Sequence, residues 1–588
     1  MRVRPGSCRF ADFLCAVLIA GFAAPVAAQG VAGDAWAPQA PALPVALTVV
    51  DPILGPSSYP PVHATLLPDG RVMLFGKAGR KEKAAWFLPT PFNQDPPVEV
   101  VLNVDNVPVD VSQGTVTDSL GRPWFVDETL FCSGHSLTAD GSLFVAGGTL
   151  LFSNTDAPTG TTTTVLYGMP NATLYSFPTS TWSRVPGNMP ATDAGESNLA
   201  LRWYGAVTRL ADTRMLVTSG WDYVFTRVER PGLPTDFHGG TQNRSVETWT
   251  PAAGFTSKST HANTPAEVWN HDYTHVFQFP YATSTSLVLM FGEAGVPVYF
   301  APDAATGSQW APLTSVKRPG TGASIQPSHG ASSVLLPLRA TNGDWKYTNG
   351  SVLQAGGEPG SLPERHIDLY ELSLNQWVQV LDMGGRRRYP ATVPLPDGKV
   401  LVVSGYDSQG SPVPIVQRAQ YLDLRPPASF NTGGAVMGEV RGYHNVALLL
   451  PDGRVFVAGG RTAGETSTED EKPSFRYLYP PYMSPRESPP PRPAITTAPT
   501  TLRYATDFSV EFSGGPITEA VLMGLGSMTH SFDTNQRYVQ LALTASGPAS
   551  AQLVGPANPQ TAPPGYYMLF VLDQNHVPSV ARMVQLVP

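Results

Sequence analysis

Five stretches of this chain repeat one phrase: an apolar run, a turn built on aspartate, and a β-branched strand that closes in glycine. HATLLPDGRVMLFG starts at His63, HSLTADGSLFVAGG at His135 and YGAVTRLADTRMLVTSG at Tyr204. YPATVPLPDGKVLVVSG starts at Tyr389 and HNVALLLPDGRVFVAGG at His444. Each copy reads as a β-hairpin, because Asp-Gly favours a tight turn and the flanking residues favour strands. In the third copy Asp212-Thr213 replaces Asp-Gly, which predicts a different turn type there. Two weaker copies, TSLVLMFG and GSVLQAGG, complete the series.

The closing glycines are Gly76, Gly148, Gly220, Gly292, Gly357, Gly405 and Gly460, and the first three intervals are 72 residues each. Seven such units predict an all-β chain with a seven-bladed, kelch-type β-propeller over 51–483. A sandwich with repeated hairpins is the alternative, which the regular period disfavours. With 59 prolines, 55 glycines and 14% charged residues, the composition suits short strands and tight turns better than long helices.

The repeat stops after Gly460. A proline-rich linker at 484–492 follows, and 493–588 carries short alternating strands (FSVEFSG, EAVLMGLG, RYVQLAL, YYMLFVLD) that predict an immunoglobulin-like β-sandwich. At the other end, Arg2, Arg4 and Arg9 precede an apolar run from Phe13 to Ala28. This predicts a secretory signal peptide over 1–28, cut after Val26-Ala27-Ala28, with 29–50 as an extended lead-in. No later segment is apolar for long enough to span a bilayer, so the expected location is secreted, extracellular or periplasmic, with no transmembrane span. A net charge of −8 disfavours nucleic acid as a partner.

Of three cysteines, Cys8 and Cys15 leave with the signal peptide and Cys132 remains alone. In an oxidising compartment a lone thiol is buried, paired between chains, or used in other chemistry. Its place in the repeat favours the last. Eight residues before the turn aspartates Asp140, Asp212 and Asp452 stand Cys132, Tyr204 and His444, with Tyr443 beside the histidine. Equivalent positions in different blades share radius and height around the propeller axis, so these side chains converge at the mouth of the central channel. A thiol, phenols and an imidazole together suit a transition metal, copper above calcium or magnesium. The same position is Tyr389 in the sixth blade and Pro61 in the first. Any one of these residues alone is compatible with a structural role, and His63, His135 and His329 are read that way.

Four segments in order, CSGHS at Cys132, RWYGAV at Tyr204, RGYHNVALLLPDGRVFVAGG at Tyr443-His444 and GSMTHSFDTNQR at His530, resemble the copper-radical oxidases, the family of galactose oxidase and glyoxal oxidase. The resemblance implies a Cys132–Tyr204 thioether as a protein-derived radical cofactor. It also implies one copper ion held by Tyr204, Tyr443, His444 and His530, the last delivered by the sandwich. Tyr443 would act as general base, Tyr204 as the tyrosyl radical that takes a hydrogen atom, and O2 would leave as hydrogen peroxide. The family sets an aromatic ring over the modified tyrosine. Trp221 is the nearest candidate, one residue out of register, and Trp269 is another.

The Thr/Ser-rich stretch from Leu151 to Leu199 is expected to be a surface loop rather than a rim over the site, and Arg386-Arg387-Arg388 a solvated basic patch rather than a site for a carboxylated or polysaccharide substrate. No extra domain is expected ahead of the first blade, which places the chain closer to glyoxal oxidase. The expected substrates are therefore small aldehydes of the glyoxal or methylglyoxal type, or primary alcohols, handled by a monomer. The competing function is a non-catalytic secreted kelch propeller that binds glycan or protein.

Overall fold

A computed structural model describes residues 61–78, 81–87, 113–190, 200–265, 273–281, 286–291, 295–319, 330–339, 349–357, 365–407, 417–425, 429–431, 437–461, 472, 474–484 and 488–588. The expected signal peptide, the lead-in, His329 and Trp269 lie outside the described residues. No α-helix occurs among the described residues, and none of their helical turns is long and apolar enough to cross a membrane.

The fold is all-β, a seven-bladed propeller followed by a two-sheet sandwich. Blade 2 is built from Gly134–Leu137, Leu143–Ala146, Ala172–Ser176 and Thr181–Arg184. Blades 3 to 6 follow the same four-stranded antiparallel plan, starting at Ala206–Arg209, Val276–Gln278, Ala331–Leu335 and Ala391–Pro394. Blade 7 shows three strands among the described residues, beginning at Asn445–Leu449. The inner strands are buried along their whole length, because each is covered by neighbouring blades on both faces.

The hairpin turns share one geometry. In Leu67–Arg71, Thr138–Ser142, Leu210–Arg214, Leu395–Lys399 and Leu450–Arg454 the first residue exchanges backbone hydrogen bonds with the fourth and fifth. The turn aspartate then accepts from the amide two residues on, as Asp69 does from Arg71 and Asp452 from Arg454. Glycine takes a left-handed φ at the fourth position, +85° at Gly70 and +90° at Gly453. Thr213 adopts the same conformation at φ +74°, so the expectation of a different turn type at Asp212-Thr213 is overturned. The surrounding blade imposes the turn, and threonine tolerates the strain.

Four blades also share a buried arginine. Arg202, Arg318, Arg387 and Arg441 each donate from Nη1 to the carbonyl just before the blade's closing glycine, at Ser219 (2.5 Å), Gly356 (2.8 Å), Ser404 (2.8 Å) and Gly459 (2.8 Å). Arg387 is thus a fully buried clamp, and the expected solvated patch at Arg386-Arg387-Arg388 is corrected: the charge is sequestered to satisfy backbone carbonyls at the blade end.

Over its described residues, 151–190, the expected surface loop is instead built of paired strands, closer to the alternative of a rim, and 191–199 lie outside the described residues. Thr149–Asp156 and Thr161–Gly168 form a hairpin within a six-stranded sheet that also takes in Gln113–Thr117, Pro123–Thr129, Trp221–Glu229 and Asp236–Gln242. Its β-branched residues pair across strands, Thr164 with Ser153 and with Arg227 for example, which a polar but threonine-rich sequence allows. The three hairpins leave blades 2 and 3 at the end where the inner strands begin, so this sheet rises beside the mouth of the channel.

The C-terminal sandwich packs a four-stranded sheet, including Asp507–Ser513 and Ser550–Val554, against a five-stranded one centred on Gly565–Asp573. One hairpin escapes it. Ser527–Thr529 and Phe532–Asp533 enter the channel and extend the sheet of blade 1, with Thr529 opposite His63 and Ser527 opposite Thr65.

Candidate metal centre

At the start of the inner strands the chain turns inward through a residue of left-handed backbone in six of the seven blades. These are Cys132 (φ +62°), Tyr204 (+62°), Tyr273 (+41°), Gly330 (+78°), Tyr389 (+56°) and His444 (+69°). For the five that are not glycine this conformation costs about 1–3 kcal/mol each. Hydrogen bonds between blades hold it: Tyr204 N–H donates to Cys132 O (2.8 Å), Tyr273 N–H to Tyr204 O (2.9 Å) and Tyr389 N–H to Gly330 O (2.6 Å). Asn445 Nδ2 reaches Tyr389 O at 2.8 Å. The strained ring is what aims successive side chains at one point on the axis.

Ligand atoms of Cys132, His444 and His530 lie within 4.8 Å of one another, all buried. Tyr204 and Tyr443 flank them: the His530 ring centroid is 4.9 Å from that of Tyr204, 5.2 Å from Tyr443 and 4.5 Å from His444. Tyr443 and His444 rings are 3.8 Å apart. All five residues singled out from the sequence are therefore gathered in one cluster, buried except for the half-buried Tyr443.

His530 belongs to the inserted hairpin, which is tied down on several sides. Ser527 Oγ bonds Thr65 Oγ1 (3.0 Å) and His135 Nδ1 (2.7 Å), Thr534 Oγ1 donates to His135 O (2.6 Å), and Ser332 Oγ donates to Ser531 O (2.5 Å). Thr529 Oγ1 engages His530 Nδ1 at 2.6 Å, which fixes the ring and leaves Nε2 buried with no hydrogen-bond partner. Burial, then the neighbouring His444, His135 and Arg461, hold the His530 imidazole well below its usual pKa. Burial and Arg461 do the same for His444. Both rings are neutral at physiological pH, the state in which an imidazole nitrogen binds a metal. A buried thiol, two phenols and two neutral imidazoles, that of His530 with an open nitrogen, fit copper.

The cluster has members the repeat arithmetic did not single out. Tyr273 stacks on His530, with centroids 4.1 Å apart and planes at 26°, and lies 4.8 Å from the Tyr204 ring. Four blades place this residue sixteen positions before the closing glycine, but a longer loop in blade 4 slips Tyr273 to nineteen. Searching that window for an aromatic would have found it. Tyr389 meets Tyr443 edge-on at 4.9 Å, and Phe131 meets His444 at 5.5 Å.

The ring that lies on Tyr204 is Trp203, with centroids 3.5 Å apart and planes at 11°. Trp221, the candidate drawn from the sequence, is bridged to Trp203 through the backbone in both directions (3.0 and 2.8 Å) and packs partly buried against the same cluster. A register shift between Trp221 and Tyr223 accompanies this placement. His63 and His135 are fully buried deeper in the channel, 5.1 Å apart.

Comparison with known proteins agrees with this layout. Residues 492–586 match the galactose oxidase-like Early set domain. A galactose oxidase from Gibberella zeae is 31% identical over 207 residues, covering 34% of this chain and 29% of that protein. Aldehyde oxidase GLOX of Vitis pseudoreticulata is 31% identical over 294 residues (45% and 54%), and aldehyde oxidase GLOX1 of Arabidopsis thaliana 27% over 290 (44% and 47%). The chain thus spans about half or less of the length of these curated relatives. A fungal alcohol oxidase of the AA5 family, solved in complex with copper, shares the fold with a TM-score of 0.63 at 18% identity, over 92% of this chain and 99% of that one. The chain is a relative of the galactose oxidases and the glyoxal-type aldehyde oxidases, and it resembles the copper-radical oxidases in both its propeller and its C-terminal sandwich.

Proposed function

We propose that this chain is a secreted copper-radical oxidase that converts small aldehydes of the glyoxal type, or primary alcohols, with reduction of O2 to hydrogen peroxide. The observation that carries the reading is the convergence of Cys132, His444 and His530 within 4.8 Å, beside Tyr204 and Tyr443. A recognition propeller has no need to collect a thiol, phenols and neutral imidazoles in a buried, strained ring.

Tyr204, Tyr443, His444 and His530 would hold one copper ion. When bound, copper supplies a Lewis-acid hold on the substrate oxygen and the second one-electron acceptor, so that metal and Tyr204 together account for the two electrons finally carried off in hydrogen peroxide. As the sulfur joins the phenol ring, Cys132 would lose its thiol hydrogen and Tyr204 a ring hydrogen, both passing to O2 as hydrogen peroxide, and the sulfur would make that ring easier to oxidise. Tyr443 takes the proton from a hydroxyl of the alcohol or of the hydrated aldehyde, and the Tyr204 radical takes a hydrogen atom from the carbon that bears it. Trp203, stacked on Tyr204, excludes water from the radical face.

Peptide mass mapping after copper loading and full reduction tests the reading. A Cys132 peptide joined to a Tyr204 peptide, lighter by two hydrogens, is expected. Separate peptides with a free thiol at Cys132, despite bound copper, would withdraw it. Rates on glyoxal-type aldehydes, simple alcohols and galactosides then rank the substrates, and a strong preference for galactosides would overturn the aldehyde assignment.

A further inference from the structure

Arg209 closes the inner strand of blade 3 at the end opposite Tyr204, where the C-terminal sandwich meets blades 3 and 4. There it faces Arg537 across a cavity of about 30 Å³ that is also lined by Gln278, Asn535 and Tyr567. Both arginines are only 5% exposed. Their donors go to neutral carbonyls: Arg209 Nη1 to Leu137 O (3.3 Å) and Thr138 O (3.2 Å), and Arg537 to Gln278 O (3.2 and 3.1 Å) and Gln560 O (2.7 Å). The Nε of each is buried with no acceptor.

A guanidinium keeps its charge in a protein, and two of them buried side by side on neutral carbonyls are stabilised by an opposite charge between them. No carboxylate pairs with either arginine among the described residues. The acidic groups nearby are the phenols of Tyr567, Tyr504 and Tyr281; burial raises the pKa of each, so they stay neutral, and the Tyr567 hydroxyl donates to Pro563 O at 2.7 Å. Burial, chiefly, holds Arg537 down to about 10, and the charge of Arg209 adds to the effect. Two like charges therefore line one small cavity, and no carboxylate among the described residues balances them.

We propose that this cavity binds one chloride-sized monovalent anion between the Arg209 and Arg537 guanidiniums, fastening the sandwich to blades 3 and 4. The volume admits one or two water-sized species and excludes phosphate or larger anions. Because Arg537 follows the hairpin that carries His530, the anion also steadies the segment that delivers that histidine to the channel. The proposal does not depend on the oxidation chemistry.

Crystals of the full chain soaked in sodium bromide give the direct test, with an anomalous peak expected between the two guanidiniums. In parallel, the melting temperature is followed against sodium chloride and against sodium gluconate at matched ionic strength. The wild type is expected to show a saturable, chloride-specific rise, and Arg209→Gln and Arg537→Gln to lose it. A cavity with no bromide peak, or an equal response to chloride and gluconate in the wild type, overturns the site. Both measurements use the unaltered protein, so they decide the matter even if the variants do not fold.

Discussion

The indole of Trp203 lies flat on the phenol of Tyr204, with ring centroids 3.5 Å apart and planes 11° from parallel, while its Nε1 donates to Thr149 Oγ1 at 3.1 Å. Thr149 Oγ1 in turn donates to Phe131 O, next to Cys132 (2.8 Å). The sheet that rises beside the channel mouth thus locks both the ring that covers Tyr204 and the backbone that presents its thiol neighbour. Aromatic stacking of this kind contributes about 0.5–1.5 kcal/mol and excludes solvent from one ring face.

Replacing Trp203 should therefore shorten the life of a Tyr204 radical without removing copper. Trp203→Leu is expected to cut the half-life of the radical signal, read by electron paramagnetic resonance after oxidation, about tenfold or more, with Trp203→Phe intermediate. Trp221→Leu should have the smaller effect. The reverse order would return the shielding role to Trp221.

Thr529 holds the His530 ring through Nδ1 at 2.6 Å. Partners of this kind orient a metal-binding histidine, and their loss typically weakens metal affinity by about 10–100-fold. Thr529→Val keeps the shape and the backbone pairing with His63 but removes the hydroxyl. Chelator competition should show copper held that much more weakly, with circular dichroism unchanged. Unaltered affinity would mean that hairpin packing alone orients His530.

Much of this was legible in the sequence, for a physical reason. Cys132, Tyr204 and His444 occupy one repeat position, and a propeller turns one repeat position into one place on its axis. Tyr273 shares that place but not the spacing, because the longer loop of blade 4 shifts the count. The raised sheet was hidden for a different reason. Its hairpins, at 113–129, 149–168 and 221–242, pair with one another across blades, and local periodicity carries no record of long-range pairing. The buried arginines escaped notice because arginine is usually exposed, and only the carbonyls at the blade ends reveal their use.

The Arg202–Glu247 pair shows what those arginines do for stability. Both side chains are fully buried and in contact, and Arg202 also serves Ser219 O and Ser245 O. Arg202→Met leaves Glu247 buried and uncompensated, which should cost about 3–5 kcal/mol in denaturant unfolding. The double variant Arg202→Met/Glu247→Leu removes the stranded charge and should recover part of that loss. If the double variant is no more stable than the single, the arginine acts through its carbonyl contacts and not through the ion pair.

Asp533 gives the fold a pH dependence of its own. It ends the inserted hairpin, and burial pushes its carboxyl up to about 6 from 3.8, although the amides of Ser527 and Asn535 donate to it at 2.8 and 3.0 Å and pull the other way. A carboxyl raised in the folded state binds more protons folded than unfolded between about pH 4 and 6. Its stabilising contribution is then complete below pH 4 and is lost as pH rises through 6. For a shift of this size the loss is at most about 3 kcal/mol. Asp533→Asn, which keeps the acceptor oxygen and cannot ionise, should remove that slope from a plot of unfolding free energy against pH while leaving the slopes from other groups in place. A wild-type curve that parallels the variant through this window would mean that the two amide donors outweigh burial, and that Asp533 is already charged well below pH 6.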